Sequence, residues 1–133
     1  MSKRVADVLV ETLQAAGVKN CYGIVGDALN RIAHAIERSE IDWVHMRHEK
    51  AGAFAANAEA LLTGGLTACA GTCGPGSLHF INGLYEANRN RAPVILIATQ
   101  DRAAGPGIRV DPGDRLRRRV QGLQRLLRDD PDA

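Results

Sequence analysis

Aromatic side chains are scarce: one Trp, two Tyr and two Phe make up 4% of 133 residues. The core therefore has to be filled by Ala, Val, Leu and Ile, as in a parallel sheet packed by Ala-rich helices. Long apolar runs are missing too. No stretch approaches the ~18 apolar residues of a membrane span, and Met1-Ser2-Lys3-Arg4 leads into an amphipathic pattern rather than a signal-peptide core. The expected location is cytoplasmic, with no membrane span. Cysteine is sparse and odd in number: Cys21, Cys69 and Cys73 lie in or beside apolar runs and read as reduced, mostly buried thiols. Excess charge of one sign is also absent from most of the chain. The formal +2 arises after residue 100, where eight Arg stand against six Asp, while the remainder balances nine basic against nine acidic side chains. A neutral body argues against nucleic-acid binding by the folded part. At 14.3 kDa the chain is one small domain, able to bury roughly two-thirds of its unfolded surface.

What is present alternates between helix and strand patterns. Val5, Val8, Leu9, Leu13 and Ala16 recur at helical spacing, with Gly17 where a helix end favours a left-handed residue. Cys21 to Gly26 reads as a buried strand closing on glycine, and Asp27 as the cap of a second helix with Leu29, Ile32 and Ile36 inside. Ile41 to Arg47, holding the single Trp43, reads as the next strand and ends at His48-Glu49. An alanine-dense helix from Ala51 to Leu62 stops at Gly64-Gly65. Leu66 to Thr72 is a third strand, and Pro93 to Ala98 a fourth, fully buried one. The alternation predicts a doubly wound parallel sheet in a three-layer α/β/α arrangement. Its turns Val25-Gly26-Asp27, His48-Glu49, Thr72-Cys73-Gly74 and Thr99-Gln100 then share one sheet edge, where open α/β folds bind ligands.

The richest of these turns is Gly71-Thr72-Cys73-Gly74-Pro75-Gly76-Ser77. Three glycines around Pro75 allow close approach of a ligand to bare backbone, with Ser77 as helix cap and Leu78, Ile81 and Tyr85 along one helical face. A glycine-rich turn by itself fits a steric turn equally well. His45, His48 and Glu49 suggest a metal cluster, but no second ligand group sits at zinc spacing, so they read as strand-end polar residues and no metal site is assigned. Cys73 follows Thr72 with no histidine base at readable spacing, so it reads as packing.

Asp101 to Ala133 contains no Lys, no Glu and no aromatic residue, a bias of the kind GC-rich codons give when read out of frame. We expect residues 1–100 to form the domain and 101–133 to be a non-native or frame-shifted tail. Leu116, Val120, Leu123 and Leu127 keep a helical period behind Asp114, so the segment 114–128 is expected to be at most a peripheral helix.

Three spaced blocks, Tyr22 to Asp27, Arg47 to Ala56 and Gly71 to Asn82, together resemble the N-terminal, pyrimidine-binding domain of thiamine diphosphate-dependent enzymes. The wording Gly74-Pro75-Gly76-Ser77-Leu78-His79-Phe80-Ile81-Asn82-Gly83, with Asn88 to Val94 behind it, is closest to the branch of pyruvate oxidase and quinone-dependent pyruvate dehydrogenase. The resemblance implies that Glu49 hydrogen-bonds N1′ of the cofactor's aminopyrimidine, favouring the imino tautomer that takes the thiazolium C2 proton before attack on a 2-keto acid and its decarboxylation. An acid in an apolar slot can share a proton in this way. Without the resemblance, Glu49 is a helix-start acid answering the dipole and His79 a polar residue on an exposed helix face. With it, Val25 and Gly26 offer backbone to the pyrimidine, while Thr72, Pro75 and His79 line its pocket.

The chain departs from the family in two ways. The separate domain that holds the diphosphate through Mg²⁺, bearing Gly-Asp-Gly and a later Asn-Asn, has no counterpart in Gly26-Asp27 or Gly113-Asp114. A family strand expected between strands three and four is also missing, which would leave backbone groups unpaired on both. Three readings stay open: a truncated pyruvate oxidase-type domain, inactive alone, a split subunit serving a separate diphosphate-binding chain, or a non-catalytic interaction protein that kept the fold. By the resemblance, Mg²⁺ and FAD would be expected on domains other than this one, and the expected partners are a homo-oligomer or a diphosphate-binding domain or subunit.

Overall fold

The computed structural model describes residues 3–99, so the expectations for the tail, including a helix at 114–128, lie outside the described residues. Helix α1 (Val5–Ala15) leads to strand β1 (Asn20–Gly23), a short 3-10 turn (Asp27–Leu29), α2 (Asn30–Glu37), β2 (Asp42–His45), α3 (Glu49–Thr63), β3 (Thr67–Gly71), α4 (Pro75–His79), α5 (Ile81–Arg89) and β4 (Val94–Ala98). The strands form one parallel sheet in the order β2-β1-β3-β4. This is the expected α/β architecture. No helix of the described residues is long and apolar enough to cross a membrane.

The period-two alternation of strand side chains divides the core between the two faces of the sheet. Cys21, Ala68, Ala70 and Ile97 join Val10 and Leu13 of α1 and Ile36 of α2 on one face. Tyr22, Cys69, Val94 and Leu96 meet Ala53, Ala56 and Phe80 on the other. Every residue of β3 is buried, because helices cover it on both sides. Its small side chains, Thr-Ala-Cys-Ala-Gly, meet the equally small inner face of α3, where Ala53, Ala56 and Ala60 are buried. Thr67 ties the two together, its hydroxyl donating to Ala56 O at 2.8 Å. Helix α3 ends on Gly64, whose φ of 67° is the left-handed turn its sequence position foretold.

Several local expectations are corrected. Strand β3 pairs directly with β4, from Thr67 with Val94 to Gly71 with Ala98, so no gap for another strand lies between them. Among the described residues β4 is an edge strand, and it is not fully buried: Ile95 is 38% exposed. An apolar run shows that a strand can be covered, not that its neighbour is present. Strand β1 stops at Gly23, three residues earlier than its apolar pattern suggests. Asp27 makes no side-chain cap and opens a 3-10 turn instead. Ser77 is not a cap either. Gly74 precedes α4, and the buried Ser77 hydroxyl turns back to donate to Thr72 O at 2.6 Å. Beyond α4 the buried positions are Phe80, Gly83 and Ala87, while Tyr85 is exposed, which rotates the inner face away from the expected Leu78, Ile81 and Tyr85 row.

Candidate functional site

Because all four strands run parallel, the segments after β1, β2 and β3 emerge at one edge of the sheet. Met46 N–H donates to Gly23 O at 2.9 Å and so brings the exit of β2 beside that of β1. His48 follows in extended conformation and caps α3, its Nδ1 accepting the Lys50 N–H at 3.1 Å. Glu49 is then the first residue of a 15-residue helix, where the unpaired amides and the dipole suit a carboxylate. Its side chain is only 14% exposed.

The second arm of the site comes from the turn after β3. Gly74, at φ 66° and ψ −129°, adopts a backbone shape that favours glycine, and Pro75 starts α4 where a missing N–H costs nothing. One turn later His79 points back to α3, with Nδ1 3.1 Å from Glu49 Oε2. Against an ionised carboxylate that nitrogen carries the proton and donates it. The His79 and His48 rings stack, with centroids 4.8 Å apart and planes 28° from parallel.

The floor is made by what glycine leaves out. A Cβ added at Gly26 would come within 2.9 Å of Thr72 Cβ, and one at Gly76 would meet Thr72 Cγ2 at 3.0 Å and Glu49 Oε1 at 3.3 Å. Thr72 is thus held between two bare backbone positions, with the second carboxylate oxygen facing one of them. The structure brings Glu49, Thr72, Gly26 and His79 together. Val25 is adjacent to Gly26 and 43% exposed, and Pro75, the first residue of α4, is exposed. Around Glu49 stand the His79 imidazole, at Oε2, and the bare backbone of Gly76 beside Thr72, near Oε1.

Sequence reasoning missed Gly76 as the neighbour of Glu49 and His48 as the partner of His79. His48 carried a usable signal, its position directly before the helix, but histidine is not a usual cap. His48, Glu49 and His79 do bring ligand atoms within 4.8 Å of one another, a grouping of the size a metal ion needs, whereas His45 takes no part. Two features oppose a cation there. The Nδ1 lone pair of His48 is engaged by Lys50 N–H, which leaves the neutral ring with a proton on Nε2, and the start of α3 is the positive end of its dipole.

Elsewhere the thiols are structural. Burial pushes Cys21 up to about 12 from its ordinary 9.0, and pushes Cys69 higher still with a smaller contribution from Cys21, so neither is a nucleophile near neutral pH. At the far end of β1, Asn20 donates to Glu59 Oε1 at 2.7 Å. Tyr22 is raised to about 12, first by burial and then by Glu59.

The fold is thus a parallel α/β domain that presents a partly buried glutamate side chain at a helix start, opposite a glycine-rich turn. The chain matches the family of the thiamine pyrophosphate enzyme, N-terminal TPP binding domain, over residues 3–125, and it belongs to that family. It is 59% identical over 96 residues to an uncharacterized 42.6 kDa protein of Pseudomonas amyloderamosa, covering 71% of this chain and 24% of that one. It is 43% identical over 94 residues to pyruvate oxidase of Lactiplantibacillus plantarum, covering 69% of this chain and 16% of the relative. Acetolactate synthase 1 of Zea mays matches at 35% over 96 residues, covering 71% and 15%. The chain thus spans no more than about a quarter of the length of these curated relatives.

Proposed function

We propose that this chain supplies the pyrimidine half of a thiamine diphosphate site in a 2-keto acid decarboxylating oxidoreductase of pyruvate oxidase type. The observation that carries the reading is the division of labour at Glu49: Oε2 is held by His79, while Oε1 faces the cradle at Gly76 beside Thr72. An added Cβ at Gly26 or Gly76 would crowd that cradle, so its glycines suit the close approach of a flat ring. Glu49 would hold or release a proton at the aminopyrimidine N1′, Gly26 and Val25 would offer backbone, and Thr72, Pro75 and His79 would border the ring. When bound, the cofactor supplies the electron sink that decarboxylation of a 2-keto acid requires.

The pyruvate oxidase branch is supported by the Gly74 to Gly83 wording and by the 43% identity to that enzyme. Acetolactate synthase relatives, at 35–38%, keep carboligation of 2-keto acids as a second reading. The diphosphate with its Mg²⁺, and any FAD, are assigned to a diphosphate-binding domain or subunit or to another copy in a homo-oligomer, in the cytoplasm. The chain by itself is expected to bind thiamine diphosphate more weakly than about 1 μM.

The test pairs this chain with a separately supplied diphosphate-binding domain and follows exchange of the cofactor's C2 proton by NMR. Glu49→Gln keeps the shape but cannot pass a proton, so exchange should fall by about 10²- to 10⁴-fold with the melting temperature unchanged. Exchange at the original rate would remove Glu49 from this role.

A further inference from the structure

We propose that His48 is a positioning residue for the Glu49–His79 pair. The inference rests on the reading of Glu49 as the proton-handling group, but its own evidence is geometric. An N-cap is normally a short polar side chain, and Ser, Thr, Asn or Asp would satisfy the Lys50 N–H at least as well. Histidine adds something the cap does not need, a flat ring, and that ring lies on the face of His79.

The two contacts of His48 fix different things. The hydrogen bond from Lys50 N–H to Nδ1 pins the ring to the first turn of α3 and fixes its neutral proton on Nε2. The stack, 28° from parallel, sets the plane in which the His79 ring lies. A half-turn of His79 within that plane would exchange Nδ1 for a carbon and lose Glu49 Oε2, so the 3.1 Å hydrogen bond decides the flip and the stack decides the plane. Together they hold His79 as the Nδ1–H tautomer. Glu49 Oε2 stays occupied, and Oε1 is the oxygen presented to the cradle.

This support matters because the His79 side chain is 50% exposed. Without a ring on its face, water can compete for Nδ1, and the carboxylate becomes free to rotate its oxygens. The His48 ring lies near the Glu49 carboxylate, with ligand atoms within 4.8 Å, but its own contacts are the Lys50 N–H and the His79 ring face, and through these it acts on the geometry of the pair.

The experiment is heteronuclear NMR on the full chain without cofactor, reading which ring nitrogens carry protons. In the unaltered chain, His79 should show a protonated Nδ1 and His48 a protonated Nε2. His48→Asn keeps the cap acceptor and removes the ring: the Lys50 amide should stay protected while His79 loses its single tautomer. His48→Phe keeps the ring and removes the acceptor: the His79 tautomer should persist while Lys50 amide exchange speeds up about tenfold. An unprotonated Nδ1 on His79 in the unaltered chain, or His79 signals unchanged in His48→Asn, would overturn the proposal. Should either variant fail to fold, the spectrum of the unaltered chain still decides on the tautomers. None of these readings uses the cofactor, so their failure leaves the C2-exchange test of Glu49 standing, and the reverse also holds.

Discussion

Replacing Gly83 by alanine sets two magnitudes against each other. Gly83 lies buried in α5 where that helix crosses α3. In an isolated helix the change should stabilise by about 1 kcal/mol, because alanine loses less backbone freedom on folding. In this fold the new Cβ would collide with Ala53 Cβ and would also stand 2.9 Å from Ala53 C and 2.9 Å from Phe54 N. Those last two are backbone atoms and cannot swing aside, so the helices must separate. Overpacking of this kind costs about 1–3 kcal/mol, and rigid partners argue for the upper end. The net expectation is a destabilisation of about 2 kcal/mol, or roughly 8–16 °C in melting temperature for a domain of this size. Thermal unfolding followed by circular dichroism measures it. Ala53→Gly in the same chain should restore only part of the loss, since the backbone contacts remain, and a double-mutant cycle isolates that part. Because Ala53 is one turn from Glu49, the separation should also disturb the His79 tautomer. A Gly83→Ala protein that melts at or above the original temperature would refute the close-packing argument.

Two further outcomes are expected. Thr67→Val keeps the side-chain shape but removes the 2.8 Å bond to Ala56 O in a fully buried position, and should cost about 1 kcal/mol in denaturant unfolding. Stability should hold steady up to about pH 9 and fall between about pH 9 and 12. Cys21, Cys69 and Tyr22 all have raised values in the folded state, so on raising pH the unfolded chain sheds protons first and is favoured; urea titrations at stepped pH check the sign, and stability rising over that range would contradict it.

The alternation of helical and strand patterns, the glycine stops at Gly17 and Gly64, and the burial of Cys21, Cys69, Leu29 and Ile36 were all legible in the chain, because each follows from local period and from chain conformation at a single residue. So was the place of Glu49 at the sheet edge where the turns meet, because it directly follows a strand pattern in a parallel alternation. Tertiary structure decided what depends on partners far apart in sequence. That β4 pairs with β3 and stands at the edge of the described sheet is a matter of which strand lies alongside, on which an apolar run is silent. That Ser77 turns inward to Thr72 and that Phe80, not Tyr85, fills the core depends on where α3 and β3 leave room. Residues 30 positions apart, Glu49 and His79, share a hydrogen bond, and His48 joins them through a ring face. No spacing rule encodes that meeting. It exists because parallel strands deliver the start of α3 and the turn after β3 to the same edge of one sheet.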